Sequence, residues 1–133
     1  MKDNIFLDTN ILIYLFSNDI LKKEISKELL RKKPNISIQV CNEVSNILMK
    51  KYKFSPQEVK NILKEILKNT TLNQIDNNTI FDALDIKDRY NFSYYDSLIL
   101  SSAKNLDCNI LYSEDMQNNQ QIDNLTIINP FKN

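Results

Sequence analysis

The chain has 133 residues, 42% apolar and 26% charged, and its 17 basic side chains are matched by 17 acidic ones. This is the composition of a folded globular protein of about one domain, in which any affinity for a polyanion must reside in local patches. Histidine and glycine are both absent, which excludes Ser-His and Cys-His catalysis, imidazole zinc sites and the usual glycine loops that cradle phosphates.

Chemistry is therefore left to carboxylates, lysines, hydroxyls or a bound metal. Cys41 and Cys108 fit no Cys-x-x-Cys pattern and read as reduced core thiols of a cytoplasmic protein. Asp8, Thr9 and Asn10 interrupt the N-terminal apolar stretch, and Ile11 to Phe16 is too short for a signal segment or a membrane span. No repeat or linker is visible, so one domain over residues 1–133 is expected.

In chain order, Asn4-Ile-Phe-Leu-Asp8 is a short apolar run ending in a carboxylate, consistent with a buried strand. Ile11, Leu12 and Leu15 begin a helical pattern, and Leu21, Ile25 and Leu29 mark an amphipathic helix. Pro34-Asn35 signals a turn and Ile36 to Ile38 a second strand, followed by a helical stripe of Val40, Val44, Ile47 and Leu48. Ser55-Pro56 is a helix start, and Val59, Ile62, Leu63, Ile66 and Leu67 continue it with clear helical periodicity. Thr71 to Ile75 is a third strand candidate.

Ile80, Phe81 and Leu84 define the next helix, with Asp82, Asp85 and Arg89 on its outer face. Tyr95, Leu98, Ile99, Ser102, Ala103 and Leu106 define another, apolar enough to be central, and Asn109 to Tyr112 and Leu125 to Ile128 close the chain as strands. Strands alternating with helices predict an α/β fold, a three-layer α/β/α sandwich around a mostly parallel sheet. In such a sheet the ligand crevice lies beyond the carboxyl ends of the strands.

Four acids are expected at that edge. Asp8 ends the first strand, Asp115 follows the Asn109–Tyr112 strand, and Glu43 and Asp96 lie in the first turns of crossover helices, which begin at the same edge. Each alone has a simpler reading: Asp8 as a helix cap, Asp96 as a charge on a helix dipole, Asp115 as a turn former, Glu43 as a flank residue. Together they repel unless a proton or cation compensates, and an all-oxygen set favours Mg²⁺ or Mn²⁺. Such an ion can activate water and stabilise charge on a phosphodiester.

At Leu7-Asp-Thr-Asn-Ile-Leu-Ile-Tyr14, Asn42-Glu-Val-Ser45, Tyr95-Asp-Ser-Leu-Ile99 and Leu111-Tyr-Ser-Glu-Asp115 the chain resembles the PIN-domain family, and within it the VapC-type ribonuclease toxins of bacterial toxin–antitoxin pairs. The resemblance extends to Ile127-Ile-Asn-Pro-Phe131. It implies endonucleolytic cleavage of RNA with one or two Mg²⁺ or Mn²⁺ ions held by Asp8, Glu43, Asp96 and Asp115, supported by Thr9, Asn10 and Ser113. It also implies a cognate antitoxin. One departure from the family pattern is Gln117-Asn-Asn119, where a glycine is usual near the last acid.

Lys22 to Lys33 is rich in lysine and arginine and could meet RNA phosphates or form a solvated helix face; Lys50, Lys51 and Lys53 add further positive charge. Tyr14, Tyr94 and Tyr95 could stack on bases or border the core. Phe16, Tyr52 and Phe54 could serve a homodimer or antitoxin surface, or simply pack. A PIN nuclease of RNA processing or repair and a non-catalytic PIN fold are alternative readings. A receiver-like signalling domain would need an acidic pair after the first strand, and an aspartate-nucleophile phosphatase a second Asp at position 10, where Asn10 stands.

Overall fold

Three successive apolar residues, Ile5, Phe6 and Leu7, suit a strand covered on both faces. They form β1 (Ile5–Leu7), and all three are buried. The structure is a computed structural model describing residues 3–132; residues 1, 2 and 133, at the ends of the expected unit, lie outside the described residues.

The other strands are β2 (Asn35–Ser37), β3 (Thr71–Asn73), β4 (Ile110–Tyr112), β5 (Gln121–Ile122) and β6 (Leu125–Ile128). Their order across the sheet is β3-β2-β1-β4-β6-β5. The neighbours from β3 to β6 pair in parallel, and β5 runs antiparallel to β6. The α/β class and the mostly parallel sheet expected from the sequence are found. The two-residue β5 was not anticipated, being too short to carry a period.

The helices are α1 (Thr9–Ile13), α2 (Ile20–Arg31), α3 (Ile38–Lys50), α4 (Pro56–Lys68), α5 (Asn77–Tyr90) and α6 (Tyr94–Asn105), with a 3₁₀ turn at Tyr14–Phe16. β2 ends a residue earlier than expected because the Ser37 hydroxyl caps α3, accepting from Val40 N at 3.4 Å and drawing Ile38 into the helix. β3 likewise stops at Asn73, short of Ile75. At α4 the expected start is present with a full capping box: Glu58 N donates to Ser55 Oγ and Ser55 N to Glu58 Oε1.

The core is built from Phe6, Leu7, Ile36, Leu111 and Ile127 of the sheet against Ile11, Val40, Val44, Leu48, Ile99 and Leu100 of the helices. Each such side chain contributes about 1.5–3 kcal/mol when fully buried. Phe16, Tyr52 and Phe54 pack against this core, Phe16 edge-on to Phe54 at 6.1 Å and Tyr52 stacked on Phe54 at 6.2 Å.

The orientation of α5 corrects the sequence reading. Ile80, Phe81 and Leu84 are exposed (37%, 59% and 48%), as Asp85 and Arg89 are, and the buried residues of the helix are Thr79, Ala83 and Ile86. The reason lies in α6, which presents the small residues Ser101, Ser102 and Ala103. Such a surface admits a close neighbour whose contact residues are also small, and Ser101 Oγ donates to Thr79 O at 2.8 Å across the contact.

Candidate active site

β1 has β2 on one side and β4 on the other, so the chain direction across the sheet reverses there and a crevice opens beyond the strand ends. Register sets Leu7 beside Tyr112, and Asp8 N donates to Tyr112 O at 3.0 Å. Asp8 therefore stands next to Ser113, each the first residue beyond its strand.

Asp8 caps α1, with Oδ1 accepting from Thr9 N at 2.7 Å. Its Oδ2 accepts from Ser113 Oγ at 2.7 Å and from Asn10 Nδ2 at 3.3 Å. The residue is only 5% exposed. Burial pushes its carboxyl up to about 6; the bonds from Ser113 and Thr9 work against that rise, and the charges of Asp96 and Glu43 add to it. The cap and the buried site acid are thus one residue.

Glu43, in the second turn of α3, is held at both oxygens. Thr9 Oγ1 donates to Oε2 at 2.9 Å and Gln39 Nε2 to Oε1 at 2.7 Å. Asp96 lies in the first turn of α6, its backbone N bonded to the Ser93 cap. Burial raises its carboxyl, Ser93 opposes the rise, and the charges of Asp115 and Glu43 reinforce it. Asp115 is exposed, with Oδ2 accepting from Asn10 Nδ2 at 3.1 Å.

Asp8, Glu43, Asp96 and Asp115 all line one cavity of about 520 Å³, together with Thr9 and Asn10. Ser113 is fully buried behind Asp8. Among the described residues no three acids converge closely enough to make a ready ligand cage. Their mutual charge effects nevertheless place them in one field, and the donor set is entirely oxygen. Those features fit a hard divalent ion of the Mg²⁺ type, which keeps several waters and needs only one or two carboxylates directly.

A family model described as PIN domain matches residues 5–120. The chain belongs to the PIN-domain family. Solved structures similar to it include a toxin–antitoxin complex from Klebsiella pneumoniae, 22% identical, covering 97% of this chain and 98% of that one with a TM-score of 0.72. Another is VapC20 of Mycobacterium tuberculosis, a sarcin-ricin loop cleaving toxin, at 17% identity, covering 84% and 90%, with a TM-score of 0.67. A third is VapBC2 from Rickettsia felis bound to a DNA fragment from its promoter, at 20% identity, covering 92% and 96%, with a TM-score of 0.66. These likenesses show a shared fold. No curated protein matches the chain.

This PIN domain also holds site residues that the sequence reading passed over. Gln39 ties Glu43 to Tyr95, whose backbone O accepts from Nε2 at 3.3 Å, so one amide links α3 to the turn that presents Asp96. Its position, four residues before Glu43, was the available signal. Glu114 was given no role in the sequence reading. It accepts from Lys22 Nζ at 2.6 Å and from Tyr14 OH, and its N donates to Asn10 Oδ1 at 3.1 Å. No local pattern could have paired Lys22 with Glu114, 92 residues apart.

The Gln117–Asn119 segment of the PIN domain makes its turn without glycine. Asn119 adopts φ 71° and donates its N to Ile127 O at 2.7 Å. Cys41 and Cys108 are buried free thiols, and among the described residues no helix is long and apolar enough to cross a membrane.

Proposed function

We propose that the chain, acting as one unit over residues 1–133, is a metal-dependent endoribonuclease and the toxin of a toxin–antitoxin pair. The observation that carries the reading is that four carboxylates, one of them buried and raised toward neutrality, line a single cavity at the reversal point of a PIN-domain sheet. Membership of the PIN family supports nuclease chemistry, and the likeness to an RNA-cleaving toxin and to two toxin–antitoxin assemblies supports the toxin role.

Asp8, Glu43, Asp96 and Asp115 would hold Mg²⁺ or Mn²⁺, as one or two ions. When bound, the metal supplies a nucleophilic water and a charge that stabilises the scissile phosphate. The chain's own contribution is orientation. Ser113 and Thr9 fix Asp8, Thr9 and Gln39 fix Glu43, and Asn10 bridges Asp8 and Asp115. Lys50 and Lys51 line the same cavity and offer positive charge to flanking phosphates.

An antitoxin could block such a cavity with a guanidinium or ammonium group, which matches carboxylates in place of the metal. The exposed apolar residues Ile80, Phe81 and Leu84 offer surface to that partner or to a second copy of the chain. The deciding experiment is cleavage of single-stranded RNA by purified protein in Mn²⁺, in EDTA, and with Asp8→Asn and Asp115→Asn. Cutting that requires metal and both aspartates supports the reading. Cutting that persists in chelator or in the variants ends it.

A further inference from the structure

Beside Glu43 lies a second groove of about 560 Å³, within the roughly 300–1,000 Å³ of small-molecule sites. Ile38, Ile75 and Leu98 contribute apolar surface, and Tyr95 stands at its margin, 65% exposed. Asn42 and Asn46 bring exposed amides to it. Glu43 and Asn46 line both this groove and the acid cavity, so the two are neighbours.

We propose that this groove is a nucleobase subsite, holding an unpaired base of the RNA beside the phosphate that lies in the acid cavity. The inference rests on the ribonuclease reading and names where that enzyme reads sequence. Unpaired bases are recognised by stacking on aromatic rings and by hydrogen bonds to their edges. Tyr95 supplies the ring, and Tyr94 packs edge-on to it at 5.5 Å. Asn42 and Asn46 each supply both a donor and an acceptor, the pairing that an amide makes with base edges.

Gln39 lines the groove and bonds to both of its walls. It is 7% exposed and its Nε2 is shared between Glu43 on α3 and the Tyr95 carbonyl at the start of α6. One amide therefore joins the backbone that carries Tyr95 to the proposed catalytic glutamate, between the two cavities that a nucleotide would span. A base seated here faces the acid cavity through Glu43, so the groove sets base preference on one side of the cut.

The test uses a single-stranded RNA carrying one 2-aminopurine, titrated with the protein in EDTA so that nothing is cut. Wild type should quench the fluorophore, and Tyr95→Ala should lose the quenching and weaken binding by about 5- to 150-fold, the range for one lost base stack. Tyr95→Phe should restore it. Asn42→Ala should alter which base flanks the cut, and in Mn²⁺ the Tyr95→Ala effect should fall on KM more than on kcat. Because Tyr95 is exposed, unchanged melting should accompany these losses; if Tyr95→Ala does not fold, Asn42→Ala carries the test.

Equal quenching and unchanged base preference in every variant, with wild type still cutting RNA, would overturn the subsite and leave the ribonuclease standing. Failure of wild type to bind or cut any RNA would remove both readings. Release of a co-purified antitoxin by Tyr95→Ala, with RNA quenching intact, would make the groove a protein-docking site and overturn the subsite.

Discussion

Lys22 Nζ lies 2.6 Å from Glu114 Oε2 and closes an ion pair between α2 and the loop that carries Asp115. The ammonium also sits 4.7 Å from the Tyr14 ring centre and 5.3 Å from that of Phe131, with Tyr14 OH at 3.2 Å. Burial alone would raise Glu114, yet Lys22 and Tyr14 together hold it below the usual glutamate value. The loop is pinned at Glu114, and Asp115 is the next residue.

Lys22→Met should therefore loosen Asp115 without touching the cavity directly. Supporting groups of this kind are typically worth 10–100-fold in metal affinity, and a loss of about 10-fold is expected for Mn²⁺, measured by titration calorimetry. Exchanging the charges, Lys22→Glu with Glu114→Lys, should recover part of it. An unchanged affinity in Lys22→Met would show that the loop holds its shape without the pair.

Asp96→Asn separates a metal ligand from a helix-terminal charge. Burial and the neighbouring acids disfavour the Asp96 charge, so the metal-free variant should be as stable as wild type or more so, while RNA cleavage is lost. Wild type at about ten times the Mn²⁺ dissociation constant should gain roughly 1.4 kcal/mol, a melting shift of about 3–8 °C. The variant should show little of it. Melting curves with and without Mn²⁺ compare the two; a destabilised variant that still responds to metal would place Asp96 outside the site.

Stability against pH follows from Asp8. Its carboxyl is raised from 3.8 to about 6 in the folded protein, so the folded state binds its proton more tightly than the unfolded chain. The resulting stabilisation is full below the unfolded value and is lost as pH rises through the folded one. Metal-free protein should gain about 1 kcal/mol between pH 7 and pH 5, read from urea unfolding at both. Asp8→Asn should flatten that difference, and a wild type less stable at pH 5 would contradict the raised value.

Ser113 can be tested from the other side. Its hydroxyl is fully buried and bonded to Asp8 Oδ2. Ser113→Ala should cost about 1–3 kcal/mol, as expected for a buried hydrogen bond to a charged acceptor, and should raise Asp8 further. Urea unfolding and a carboxyl NMR titration report the two effects. A titration of Asp8 that does not move would deny Ser113 its part in holding the charge.

The face of α5 is open to substitution in opposite senses. Phe81→Ser and Leu84→Gln should each change stability by no more than about 0.5 kcal/mol, as exposed sites do. Ala83→Leu should cost about 1–3 kcal/mol by overpacking the contact with α6. Comparable losses at Phe81 and Ala83 would restore the orientation first expected from the sequence.

That orientation shows where sequence reasoning stops. Asp8 was legible because an unbroken Ile-Phe-Leu run is consistent with a buried strand, and the structure places the acid at the end of that strand. Glu43 and Asp96 were legible as acids flanking apolar helical stripes. In α5, apolar residues occur around most of the helix, and the choice between Ile80, Phe81, Leu84 and Thr79, Ala83, Ile86 belongs to the small side chains of α6. The link from Gln39 to Tyr95 and the pair between Lys22 and Glu114 depend on tertiary placement that no local spacing encodes.

Among the described residues, Asn119 is one of six with positive φ, the others being Lys33, Lys53, Asn91, Asp107 and Asp123. Each accepts crowding of its Cβ that glycine would avoid. The same omission acts on the denatured ensemble in the opposite direction: a chain with no glycine explores fewer backbone states when unfolded and surrenders less entropy on folding. The turns are thus strained locally in a polypeptide whose disordered state is unusually restricted, and the fold's margin of stability is set partly by what the unfolded chain cannot do.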